Sequence, residues 1–129
     1  MDRVEKWVAE GTLLQINARS LLGAYGAEAQ RVARELLRRG WVSCVASDYH
    51  ARGRPDFEAA IHLLTGAEAS LEDRGSETPK PPSGAAKAAI RTLLQDNPTR
   101  ILADQPTAIV PPLEVPEPGP MKRARRWFR

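Results

Sequence analysis

Asp48 and His50, two positions apart and directly after the apolar run Trp41–Ala46, combine residue types and spacing suited to chemistry. In an extended chain, residues i and i+2 point the same way, so a carboxylate oxygen and an imidazole nitrogen can face one point beyond the strand's C-terminal end. Parallel α/β folds place their active sites at that end, and such a donor pair suits Mn, Zn or Fe. A plainer reading stands beside this one. Asp-x-His is short and common, so Asp48 can equally cap a turn in a polar loop whose His50 is merely exposed. The other reactive residue types read as structural. His62 shares a helix side with Glu58 and Thr65, as a solvated surface histidine would. Cys44 lies inside an apolar strand, and the position six residues on is His50, not the arginine of a cysteine-nucleophile phosphatase loop. It reads as a small buried hydrophobe. Gly23, Gly26 and the residues between them match no phosphate-cradling glycine loop and serve a backbone turn.

The elements that would position these residues follow from periodicity. Asp2 to Glu10 predict a short helix stopping at Gly11, and Thr12–Ile16 a buried strand. Asn17 to Gly26 form a connection with a helical turn at Ser20-Leu21-Leu22. Ala29, Val32, Ala33, Leu36 and Leu37 give helical spacing over 27–39, with Gly40 at the C-terminal cap. Trp41–Ala46 is a second buried-type strand. After the polar loop 47–54, Pro55 opens a helix with the stripe Phe57, Ala60, Ile61 and Leu64. Residues 71–84 are rich in Pro, Gly and Ser and read as a flexible insertion. Ala85–Leu94 is a further helix, which Asn97-Pro98 stops, and Pro98–Leu102 allows one more turn. The order strand, helix, strand, helix implies a βαβ unit with parallel strands. Two apolar strands want cover on both faces, so the pattern fits the last third of a larger α/β barrel, usually of ~250 residues.

The length of 129 residues allows one domain with a modest core. The formal charge is +3. Five basic residues (Lys122, Arg123, Arg125, Arg126 and Arg129) fall in the last nine positions, leaving 14 basic against 16 acidic residues elsewhere. The basic balance belongs to the tail, so the body is not expected to bind nucleic acid. That tail, with Trp127 and Phe128, reads as a solubilising end, or as a segment touching an acidic partner, a membrane surface or nucleic acid. Six prolines between Gln105 and Pro120 rule out a helix or central strand there. The predicted organisation is a folded unit over 1–104 and a disordered, Pro-rich, basic tail over 105–129. A single cysteine excludes an internal disulfide. The charged N-terminus is not a signal peptide, and no run approaches the ~20 apolar residues of a membrane span. A cytoplasmic protein is expected.

Taken in order and spacing, Gly11-Thr-Leu-Leu-Gln-Ile-Asn17, Ser20-Leu-Leu-Gly23, Tyr25-Gly26, Val45-Ala-Ser-Asp48, His50, Arg54-Pro55 and Asn97-Pro98 resemble part of a known family. It is the bacterial PHP-type (polymerase and histidinol phosphatase) metal-dependent protein-tyrosine phosphatases of capsule and exopolysaccharide synthesis. The resemblance covers roughly residues 5–103 and corresponds to the C-terminal portion of the family's distorted (β/α) barrel. It implies Asp48 and His50 as metal ligands, a divalent metal (Mn foremost, with Zn or Fe as alternatives), and phosphotyrosine hydrolysis on a partner such as a bacterial tyrosine kinase. Histidinol phosphatase is the neighbouring substrate class, and the Gln15-Ile16-Asn17 and Ser20–Gly23 segments favour the tyrosine phosphatase. Arg54 would orient phosphate, since a guanidinium fork matches a phosphate dianion.

Tyr49 and Ala51 stand where the family usually has a small residue and an asparagine, and the 71–84 insertion is longer than the family pattern. The family's His-x-His motif and its middle Glu and His ligands have no counterpart among two histidines. The expectation is therefore a partial phosphoesterase with little activity alone, completed by an N-terminal chain or by homo-oligomerisation. The rival expectation is a non-catalytic remnant, or an interaction module using the basic tail.

Overall fold

The computed structural model describes residues 1–48, 57–65 and 84–115. Helix α1 (Asp2–Ala9) carries Asp2 and Glu5 in its first turn and buries no residue. Strand β1 (Gln15–Asn17) leads directly into the short helix α2 (Ala18–Leu21), and α3 (Ala27–Arg38) returns the chain to strand β2 (Cys44–Ala46). Helices α4 (Phe57–Thr65) and α5 (Gly84–Arg91) follow, and α5 continues through a π-helical turn (Thr92–Asp96) into α6 (Asn97–Leu102).

Helices α1, α2, α3 and α6 end in the same way. A left-handed residue (Gly11, Gly23, Gly40 or Asp104) follows each. In each, the next backbone N–H reaches back five residues to a helix carbonyl, as Thr12 does to Trp7 and Trp41 to Leu36. This double closure satisfies carbonyls that a helix end leaves orphaned.

The two strands pair in parallel, with Gln15 opposite Cys44, Ile16 opposite Val45 and Asn17 opposite Ala46. They are shorter than the predicted 12–16 and 41–46. The backbone N–H of Ser43 already donates to the Leu14 carbonyl at 2.8 Å. The Leu14 N–H donates to the Ser43 side chain at 3.2 Å. The serine hydroxyl thus stands in for a ladder acceptor and ends the pairing. Among the described residues the result is a mixed α/β fold with two parallel strands and several helices.

The apolar stripes meet in one core that includes Ile16, Leu21, Leu37, Val42, Val45, Leu64, Ile90 and Leu93. On α4 the buried residues are Ala60, Leu63 and Leu64, so Leu63 takes the place predicted for Ile61. On α3, Ala33 and Leu37 are buried, and Ala29, Val32, Ala33 and Leu36 also line a cleft of about 500 Å³ beside β1 and Ser20.

Two expectations are corrected. Asn97-Pro98 does not stop the helix. A proline inside a helix lacks its N–H and drives its ring toward the carbonyl four residues back. The π-turn at 92–96 lies where that conflict would fall, and its wider ring accommodates the proline while the axis continues. The predicted boundary at 104/105 also moves. Residues 105–115 have no regular secondary structure, yet Val110, Leu113 and Val115 are buried. The Leu113 N–H donates to the Leu37 carbonyl at 3.0 Å. This segment is a strap on the folded body, and residues 116–129 lie outside the described part.

Candidate functional site

Parallel pairing brings the C-terminal ends of β1 and β2 to one edge, so residues following either strand share it. Asp48, two residues beyond β2, has a φ of +54°. Aspartate tolerates this left-handed region better than most side chains. The carboxylate is partly exposed.

From β1 the same edge receives Asn17, Arg19 and Tyr25. The chain leaves α2 through Gly23, and the Ala24 N–H donates to the Arg19 carbonyl at 3.0 Å. Gln30 of α3 braces the turn by donating to the Leu21 carbonyl at 2.9 Å. The Tyr25 hydroxyl then donates to Asp48 Oδ2 at 2.7 Å. The Arg19 guanidinium carbon lies 5.7 Å from the centroid of the tyrosine ring, within cation–π range. The hydrogen bond to Asp48 is the main cause holding the Tyr25 phenol above its ordinary pKa, followed by burial and by the charge of the carboxylate. The charge of Arg19 and the Asn17 side chain oppose the shift. At neutral pH Tyr25 is therefore a neutral donor to Asp48.

Asp48 is thus placed at the predicted strand end. His50 and Arg54 lie outside the described residues, so the structure leaves the Asp48–His50 pairing and the Arg54 role as expectations. His62 is exposed, with Nε2 3.8 Å from Glu58 Oε1, matching its surface reading. Cys44 is buried, and burial raises its thiol pKa.

Among the described residues no group of three or more His, Cys, Asp or Glu side chains gathers to hold a metal ion. Asp48 nevertheless fits as one oxygen ligand. A carboxylate offers about four lone-pair sites, so a phenol hydrogen bond and a cation can share it. A single carboxylate does not make a metal site among the described residues.

Sequence reading missed Tyr25 and Arg19 as members of the site. The available signal was topological, since a turn directly after one parallel strand arrives at the same edge as the loop after its neighbour.

A family model described as capsular polysaccharide synthesis, CpsB/CapC, matches residues 1–69. No curated protein and no solved structure matches the chain.

Proposed function

From the premise that this chain belongs to the CpsB/CapC family of capsular polysaccharide synthesis, a family of PHP-type metal-dependent tyrosine phosphatases, we propose that it is part of a phosphoesterase acting on phosphotyrosine. The observation that carries the reading is the position of Asp48. It presents a carboxylate beyond the C-terminal end of a parallel strand, where α/β folds hold their reacting groups.

In this reading Asp48 and His50 are ligands of a divalent metal, Mn foremost with Zn or Fe as alternatives, and the fold is a portion of a (β/α) barrel. When bound, such metals activate water and offset charge on phosphoryl oxygens. Arg54 orients the phosphate dianion, its guanidinium staying charged at any relevant pH. The partner is a phosphotyrosine protein, with a bacterial tyrosine kinase the natural substrate for such a family.

With two histidines in this sequence, the further ligands of such a site would come from outside residues 1–129. The test is hydrolysis of a phosphotyrosine peptide by the purified chain, with and without Mn. Little turnover is expected from the chain alone. Robust metal-dependent turnover that disappears in Asp48→Ala would show a complete site and overturn the partial-site reading.

A second reading is a non-catalytic remnant or a small interaction module using the basic tail, where five basic residues fall in the last nine positions. It predicts that no added chain or metal restores hydrolysis. Among the described residues no helix is long and apolar enough to cross a membrane.

A further inference from the structure

We draw no further inference here: the strongest candidate, the cleft between β1 and the Ala29, Val32 and Leu36 side of α3, is an apolar face, and nothing in the structure shows what covers it.

Discussion

Asn97 shows how much one buried polar side chain can organise. It is fully buried. Its amide nitrogen donates to the carbonyls of Ser43 and Ala108, both at 2.9 Å, and its oxygen accepts from the Ala108 N–H at 2.7 Å. One residue therefore joins the start of α6, the approach to β2 and the strap. Replacing it with alanine orphans three backbone groups, each costing about 1–3 kcal/mol if water cannot reach it. Asn97→Ala is expected to lose about 3 kcal/mol by urea denaturation. Asn97→Asp should lose at least as much, because a carboxylate cannot donate to either carbonyl and brings a buried charge. Cys44 behaves in the opposite way, as an inert apolar group. Its thiol pKa is raised above the ordinary 9.0 by burial alone. The folded state thus favours the neutral thiol; that contribution is present below 9.0 and is lost as pH rises through the folded value. Ellman's reagent should label Cys44 slowly in the native protein and rapidly in denaturant. Fast native labelling would mean the β2 edge opens readily.

At the level of elements, the turns fix where the helices end. Gly40 closes α3 with a φ of +68°. It also lies under the strap, so that a Cβ there would come 3.0 Å from the Val110 carbonyl oxygen and 3.1 Å from the Pro112 nitrogen. Two independent costs follow, a left-handed backbone of about 1–2 kcal/mol and displacement of the strap. Gly40→Ala should cost about 2 kcal/mol or more by urea denaturation. Gly11 has the same kind of φ, +87°, but open space around it, so Gly11→Ala should show the backbone cost alone. The helix cap at Gly40 was legible because glycine after an amphipathic stretch is a local signal. The strap's approach to it was not, being a contact between positions 70 residues or more apart. Pro98 was misread for a related reason. Its local preference ends a helix, but the π-turn before it makes room for the ring, and the buried Asn97 beside it is anchored to the Ser43 carbonyl. The Tyr25–Asp48 bond was hidden in the same way, since it joins two loops 23 residues apart that parallel pairing brings together.

For the whole molecule, the extent of the folded body is the point on which sequence and structure part most. Prolines exclude 105–115 from helices and central strands, but they do not exclude it from packing. A segment containing Pro106, Pro111 and Pro112 has fewer backbone N–H groups to satisfy, so it can lie on a core without a ladder. Its apolar side chains Val110, Leu113 and Val115 are each about 5–6% exposed. Ordering an extended segment costs about 1–2 kcal/mol per residue, so a strap that stays in place must recover that through its contacts. What it adds for the rest of the fold is different: it covers part of the core, it satisfies the Leu37 carbonyl, and it completes the hydrogen bonds of Asn97. The Arg38–Glu114 ion pair at 3.3 Å adds little, because both side chains are largely solvated. A chain ending after Asp104 should therefore bind the apolar dye ANS and lose a single sharp unfolding transition, since Asn97 and the underside of the core would face water. A chain ending after Val115 should unfold as the full-length protein does. Urea titration of the three chains, followed by fluorescence and circular dichroism, separates the cases. Equal midpoints and equal cooperativity for the chain ending after Asp104 and the full-length chain would show that the folded unit ends where the prolines begin, with the strap contributing nothing to it.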